Sequence, residues 1–280
     1  GTRFWQLVHA QAQVSALEAL AGETSGLVGA VGERVRRGDA RPIEATRVEL
    51  EHERVALQLE VARAELDARR AELGQWLEAP GGALPVADAD LEALPPVPDR
   101  AAALVAARGS HPAVTVATAR LRALETAVRV ERAARAPDLA VTGYAAQELD
   151  RTAYGGGLAV DLPLWSWNRG RIAQAEARLA AGAGRVEVAR RAVESAVVAA
   201  QAACAAGVAA ASRHATRLLP RAETAVATLE RTYQLGEASL LDVIDARRTL
   251  LEARREHLAA LAEAHIDCAR LEALTREGAR

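Results

Sequence analysis

Lysine and methionine are absent from these 280 residues, and aromatic residues make up only 3% of them. So few aromatic side chains would supply a globular core of the usual kind poorly. The missing initiator methionine, together with a start inside an apparent helix, predicts a mature or truncated chain. All basic residues are arginine, and the formal net charge of −2 gives no attraction to nucleic acid.

Long apolar runs are missing too. No stretch of 18 consecutive apolar residues occurs, so the sequence predicts no transmembrane helix. No secretory signal is visible at the start of the chain. Cys204 and Cys268 lie so far apart that their spacing alone does not indicate a disulfide framework.

The sequence also lacks the residue patterns of an active site. No nucleophile, base and acid occur together, and Gly155, Gly156 and Gly157 lack the lysine and helix that follow in a phosphate-binding loop. His265 and Cys268 lie one helical turn apart, as two metal ligands can, but two ligands do not complete a zinc site. We therefore predict no enzyme activity, no cofactor and no metal site.

What remains is the composition of long, closely packed helices, rich in alanine, leucine, valine, arginine and glutamate. Two features divide the chain into segments. One is a stretch dense in proline and glycine, and the other is a change in the period of the apolar residues from 3.6 to 2 after Pro137. The predicted segments are a helical hairpin (1–78), a Pro/Gly linker (79–99), a helical region (100–136), a β-hairpin (137–167) and a long helical hairpin (168–280).

The helix predicted over 43–78 carries a coiled-coil seam, because apolar positions recur at alternating gaps of four and three. The seam consists of Val48, His52, Val55, Leu59, Ala62, Leu66 and Leu73.

Two stretches 198 positions apart repeat one helical hairpin tip, with Gly38 matching Gly236. Each glycine suits the left-handed position that ends a helix, and Ser239 is placed to cap the next helix. The matching pairs around the glycines are Asp39 with Glu237, Ala40 with Ala238, Ile43 with Leu241, and Glu44 with Asp242. Asp242 and Asp245 lie one turn apart at the start of the second helix, where acidic residues also simply favour the helix dipole.

The β-hairpin has one wholly apolar face on its predicted return strand, 157–164, with two tryptophans after it. This pattern fits a strand pair of a membrane β-barrel with an aromatic girdle, and it fits a soluble two-stranded ribbon equally well. The predicted membrane-facing and girdle residues are Leu158, Val160, Leu162, Leu164, Trp165 and Trp167.

Residues 162–177, with Pro-Leu-Trp followed by Asn-Arg-Gly, and residues 236–247, Gly-Glu-Ala-Ser-Leu-Leu-Asp-Val-Ile-Asp-Ala-Arg, together resemble the TolC-like outer membrane efflux proteins. The first segment is most similar to the heavy-metal efflux branch. The resemblance implies a mainly α fold: long antiparallel coiled-coil helices of an α-helical barrel, and a β-hairpin contributing to a transmembrane β-barrel. Family members have two such β-hairpins, so we expect this chain to be a fragment or remnant without the N-terminal part.

The resemblance also implies where function would lie. Asp242 and Asp245 would ring the periplasmic entrance of a homotrimer and raise one another's pKa there, while Tyr233 would pair with Glu44 in the closed state. An arginine expected two residues after Gly236 is replaced by Ala238. The tips that would contact a periplasmic adaptor protein contain Gly38, Asp39, Gly236, Glu237 and Ser239.

The function implied is a passive outer-membrane conduit with a periplasmic extension, surrounded by outer-membrane lipid and served by an adaptor and an inner-membrane pump. Its cargo would be metal ions or small toxic compounds. Two alternatives use long helices as well. A periplasmic adaptor should show two lipoyl-like β half-motifs around its hairpin, and none is found; a soluble coiled-coil scaffold would not need the apolar strand face.

Overall fold

The computed structural model of the chain describes residues 1–77, 85–148, 150–161 and 167–276. The chain forms two compact units. The first contains Gly1–Ala103 and Val197–Leu274, and the second contains Leu104–Ala196 and the C-terminal residues from Thr275.

The first unit begins with the predicted hairpin of two helices, α1 (Thr2–Arg37) and α2 (Pro42–Leu77). The coiled-coil seam predicted on α2 is confirmed, since its residues are buried except His52 and Leu73, which are half-buried, and it packs against buried residues of α1. The buried seam residues are Leu17, Leu20, Thr24, Val31, Val48, Val55, Leu59, Ala62 and Leu66.

One polar pair interrupts this seam. The hydroxyl of Thr24 donates to the carbonyl oxygen of Leu20 (3.0 Å), and His52 Nδ1 lies 3.0 Å from the same hydroxyl. A hydroxyl can donate one hydrogen bond and accept another, so Thr24 can bond both the carbonyl and the His52 ring nitrogen. Both polar groups are thereby satisfied inside an apolar seam.

Three further helices complete the long hairpin: α5 (Arg169–Arg213), α6 (Leu219–Gln234) and α7 (Leu240–Thr275). Helices α3 (Arg100–Ser110) and α4 (Pro112–Ala133) precede these three in the chain. Proline within a helical pattern indicates a kink or a junction between two helices. Pro220 lies at such a junction: a single π-helical turn, His214–Leu218, joins α5 to α6, and the Leu219 N–H donates to the carbonyl of His214 across it. A wider turn accommodates the proline without ending the helix.

The helix that continues from Arg169 to Gln234 is long enough, and over part of its length apolar enough, to cross a membrane by length and composition alone. This helix contains no stretch of 18 consecutive apolar residues, because polar residues such as Gln201 interrupt its alanine-rich run. The sequence therefore did not predict it as a membrane span. Alanine-rich helices that pack closely against other helices meet the same two criteria, so this property alone does not assign the helix to a membrane.

Helices α5 and α7 approach closely at small residues. A Cβ atom added to Gly207 would lie 3.0 Å from the Cα of Ala264. Nearby, Cys204 and Cys268 form a disulfide with a Cα–Cα distance of 4.7 Å. The two cysteines are separated by 64 positions, which is too far for a local spacing pattern to indicate the bond. The disulfide removes Cys268 from the His265–Cys268 pair considered as metal ligands.

We expect Gly207→Val to destabilise the first unit by roughly 1–3 kcal/mol, because the added atoms force the two helix backbones apart. Gly184→Val, at a glycine where an added Cβ meets nothing within 4 Å, is the matched control. Thermal unfolding followed by helical circular dichroism would show the difference. Equal midpoints for the two variants would contradict close packing at Gly207.

The described part of the predicted linker, 85–99, is fastened to the helices. Gln11 exchanges two hydrogen bonds with the backbone of Ala87, at 3.2 and 2.9 Å. His265 Nε2 lies 2.9 Å from the carbonyl oxygen of Leu91, and the His265 ring stacks on Trp5 with centroids 3.7 Å apart. These contacts explain why a histidine occupies a buried position on α7.

The second unit contains the β-hairpin, β1 (Asp138–Glu148) and β2 (Arg151–Asp161). The return strand starts six residues earlier than the predicted 157, so the glycines predicted to end a loop lie within β2. Gly155 faces Tyr144, whose ring covers it: an added Cβ would lie 2.4 Å from Tyr144 Cζ. Glycine weakens a strand interior, but here Gly155 makes room for an aromatic ring.

The pairing places Leu139 opposite Val160 and Val141 opposite Leu158, on one face. All four side chains are exposed. A two-stranded sheet with an uncovered apolar face is at best marginally stable in water. The face therefore needs lipid or further strands to cover it.

Candidate functional site

The two predicted tips adopt the same backbone structure. Gly38 and Gly236 both have φ +81°, in the left-handed region. Gly38 N–H donates to Val35 (3.0 Å) and Asp39 N–H to Arg34 (2.8 Å). In the second tip, Gly236 N–H donates to Tyr233 (3.0 Å) and Glu237 N–H to Thr232 (2.9 Å). This is the Schellman motif, so the glycine prediction is confirmed at both tips.

The helix after the second tip starts with a reciprocal cap. Ser239 Oγ accepts from the backbone N–H of Asp242 at 3.3 Å. In return, the Asp242 carboxylate accepts from the Ser239 hydroxyl (2.7 Å) and from the Ser239 backbone N–H (2.9 Å). These bonds hold the pKa of Asp242 below its usual range. The carboxylate therefore stays charged even somewhat below its ordinary pKa, and the cap weakens only when the pH falls through the lowered value and protonates it.

Tyr233, just before the second tip, reaches across to the first hairpin. Its hydroxyl donates to Glu44 Oε2 at 3.3 Å, although the two residues are 189 positions apart. The guanidinium of Arg34 lies over the Tyr233 ring, 4.8 Å from its centre. Burial, followed by the effect of nearby Glu44, raises the pKa of Tyr233, so its hydroxyl remains a donor at physiological pH.

A second link between the hairpins lies about two helical turns further from the tip, since Glu51 follows Glu44 by seven residues. Arg248 on α7 holds both carboxylate oxygens of Glu51 on α2, with Nε 3.0 Å from each. The same guanidinium lies 3.7 Å from Asp245. Its hydrogen bond to Glu51 raises the pKa of Arg248. We call Arg34, Glu44, Glu51, Tyr233 and Arg248 the tip network.

Sequence reasoning found Tyr233 and Glu44 but missed Arg34, Glu51 and Arg248. It expected an arginine two residues after Gly236 and found Ala238 there. The structure places a different arginine, Arg248, beside Asp245. The sequence signal available for the Glu51–Arg248 contact was the internal repeat, because these two residues occupy neighbouring positions in its two copies.

Between the two links of the tip network the hairpins share an apolar cluster. Val31 from α1 and Val48 from α2 pack with Leu240 and Ile244 from α7, and all four are buried. The apolar cluster fixes the relative position of the two hairpins, and the polar contacts on either side of it then depend on side-chain conformation.

The remaining predicted residues are exposed. Asp242 and Asp245 point to solvent, as do Asp39 and Glu237 at the tips, and each of these four carboxylates is therefore accessible in the single chain. In the second unit, Leu158, Val160 and Trp167 are exposed as well. Leu162, Leu164 and Trp165 lie outside the described residues.

A family model for outer membrane efflux proteins matches residues 103–275. The chain belongs to this family. Membership confirms the resemblance drawn from the motifs at 162–177 and 236–247, and it favours neither an adaptor nor a scaffold. The predicted outer-membrane location agrees with the description of this family. A comparison with curated protein sequences finds no match.

Solved structures of similar fold confirm the predicted mainly α architecture. A membrane protein from Pseudomonas aeruginosa is 16% identical, with a TM-score of 0.82 over 98% of this efflux-family chain and 66% of its own. CusC is 18% identical, with a TM-score of 0.83 over 99% and 67%. The open state of the Neisseria gonorrhoeae MtrE outer membrane channel is 19% identical, with a TM-score of 0.79 over 98% and 64%. The chain thus spans about two thirds of the length of the structures it matches.

Proposed function

We propose that this chain is the channel subunit of a tripartite efflux system: a passive, trimeric conduit across the outer membrane. An adaptor and an inner-membrane pump would supply specificity and energy. The observation that carries the proposal is the tip network. It joins two matching hairpin tips through contacts that can break without unfolding a helix, as a reversible entrance requires.

In this proposal the tip network holds the periplasmic end closed. Tyr233 and Arg248 both belong to the second hairpin, and both bind acidic residues of the first. Breaking these two links would leave the apolar cluster between them as the pivot about which the second tip swings outward. Asp242 and Asp245 would then line the entrance, three copies of each, and attract cations.

The exposed surfaces of the β-hairpin and of the tips indicate where the proposed conduit would contact lipid and the adaptor. The apolar face of the β-hairpin, with Leu158 and Val160, would face lipid once strands from further sequence complete a barrel. The tips, with exposed Asp39 and Glu237, would contact the adaptor. Acidic residues at the entrance suit metal cations, which agrees with the resemblance to the heavy-metal branch. Small organic compounds remain the alternative cargo.

Cell fractionation tests the proposal as a whole. The gene is expressed with its natural upstream sequence, membranes are separated, and the extracted protein is sized in detergent. We expect an outer-membrane trimer. A soluble product would overturn the proposal in favour of a coiled-coil scaffold, and an inner-membrane lipoprotein would do so in favour of an adaptor.

The tip network predicts a measurable coupling between Arg248 and Glu51. In a double-mutant cycle with Arg248→Ala and Glu51→Ala we expect about 1 kcal/mol, because the pair is bidentate but the arginine is only partly shielded from water. Thermal unfolding supplies the four stabilities. The matched control is the exposed pair Arg63 and Glu18, which makes one hydrogen bond of 2.7 Å between α2 and α1. Equal coupling in the two pairs would contradict a special role for Arg248.

A further inference from the structure

The two faces of the β-hairpin differ in the size of their side chains. One face carries the exposed leucine and valine side chains described above. On the other face, from the level of Ala140 to the level of Ala146, every residue except Tyr144 is small. We call this second face the small-residue face. Its small residues are Ala140, Thr142 and Ala146 on β1, and Ala153, Gly155, Gly157 and Ala159 on β2.

The ring of Tyr144 lies across Gly155 on the neighbouring strand. A Cβ atom added to Gly155 would lie 2.4 Å from Tyr144 Cζ and 2.6 Å from Tyr144 Cε1. Gly155 is accordingly half-buried, whereas the other residues of β2 from Arg151 to Val160 are exposed. Side chains on a strand usually stand roughly perpendicular to the sheet. Because Gly155 has no side chain, the Tyr144 ring can lie flat along the sheet instead.

The position of Tyr144 along the hairpin places it near one end of the proposed conduit. Successive residues of a barrel strand alternate between lipid and the barrel interior. Since the apolar face with Leu158 and Val160 suits lipid, the small-residue face would line the interior. Tyr144 lies four residues before Glu148, where β1 ends at the turn of the hairpin. This turn is the end away from the helices, so we call the level of Tyr144 the outer mouth.

We propose that Gly155 keeps the outer mouth open to bulky solutes, because it lets the Tyr144 ring lie flat against the wall. This inference rests on the proposed outer-membrane conduit. With the ring flat, the wall at this level is nearly as low as the small side chains around it. With a side chain at position 155 the ring has to stand upright, and one upright ring from each of three copies narrows the opening. Small ions still pass beside the upright rings, so the effect depends on solute size.

An aromatic ring that covers a glycine can also stabilise a strand pair. A purely stabilising contact would change the melting temperature of a Gly155→Ala variant, but not the size of solute that the outer mouth admits. The test therefore measures passage by size. Ala140→Cys places a thiol on the small-residue face, on the helix side of Tyr144. Cys204 and Cys268 are joined in a disulfide and do not react with thiol reagents.

Intact cells that express the full-length protein with Ala140→Cys are treated from outside with a small charged maleimide or with a maleimide that carries a bulky polyethylene glycol. The bulky reagent reaches the thiol only through the outer mouth. We expect Gly155→Ala to lose most of the bulky labelling and to keep the small labelling. The matched control is Gly157→Ala, whose added Cβ lies 3.2 Å from the Thr142 hydroxyl and meets no ring. It should label like the parent.

Tyr144→Ala added to Gly155→Ala should restore the bulky labelling, because it removes the upright ring. A loss that persists in this double variant overturns the inference, and so does equal bulky labelling of Gly155→Ala and Gly157→Ala. A parent that admits only the small reagent overturns it as well. In these three cases the small labelling still shows an open interior, and the conduit stands. A parent that neither reagent labels overturns the conduit and the inference together.

A second variant covers the case in which Gly155→Ala does not assemble in the outer membrane. Ala146→Tyr introduces a ring on the same face, opposite Ala153 and therefore without a glycine to lie on. We expect this variant to lose bulky labelling and to keep small labelling although Gly155 is intact. Unchanged bulky labelling would show that an aromatic ring at this level needs no glycine, and it would overturn the inference.

Discussion

Replacing Cys204 and Cys268 by alanine will destabilise the first unit by roughly 4 kcal/mol. The disulfide closes a loop with a sequence separation of 64, and the loop-closure entropy that the unfolded chain then regains has about this size. For a domain of this size, a loss of about 4 kcal/mol lowers the unfolding midpoint by roughly 10 °C. Circular dichroism of the helices during heating measures that shift.

The single alanine variants are the control for this prediction. Each already lacks the crosslink, so Cys204→Ala, Cys268→Ala and the double variant should lose nearly the same stability. Both sulfur atoms are buried, and losses that instead add up would indicate that side-chain packing is responsible. A midpoint within a degree or two of the parent would refute stabilisation by the crosslink.

Neutralising Asp242 and Asp245 together will relieve cation block of the conduit. If three copies of each ring the entrance, six carboxylates attract divalent cations and hold them there. Asparagine is the replacement of choice at 242, because an amide oxygen can still accept from Ser239 and preserve the cap. We expect half-block of the reconstituted full-length channel to need about tenfold more divalent cation, a change of about 1.4 kcal/mol, together with higher conductance.

Asp39→Asn with Glu237→Gln is the matched control, since these carboxylates lie at the same tips but before the helix starts. Planar-bilayer recordings with and without magnesium compare the two variants. Acidification of the parent channel should weaken the block in the same direction as the asparagines, because protonation removes the same charges. Block that is unchanged in the variant at 242 and 245 would place the constriction elsewhere.

Local patterns allowed much of this fold to be predicted. Helix seams, the left-handed glycines and the Ser239 cap depend on residues within a turn or two of each other, and each was predicted correctly. The return strand was predicted to start too late because three consecutive glycines usually indicate a loop. The position of Tyr144 across the sheet explains Gly155, and register is not encoded locally.

Contacts between distant helices were harder to predict. Glu51 and Arg248 are 197 positions apart, and no local pattern connects them. The sequence does contain a signal for the disulfide, because Cys204 lies 32 residues before Gly236 and Cys268 lies 32 residues after it. In an antiparallel hairpin such residues are level, so symmetry about the tip pairs them.

The Thr24–His52 pair helps to fix the height of the first tip. If α1 slipped against α2 by one heptad, the apolar seam would still match itself, but both polar groups would face hydrocarbon without a partner. The turn would then form half a heptad further along the chain, which displaces the first tip by about 5 Å. Six tips in a trimer can form a flush rim only if every hairpin has the same height. Thr24 and His52 thereby help to keep the tips at equal height, where a partner protein would bind.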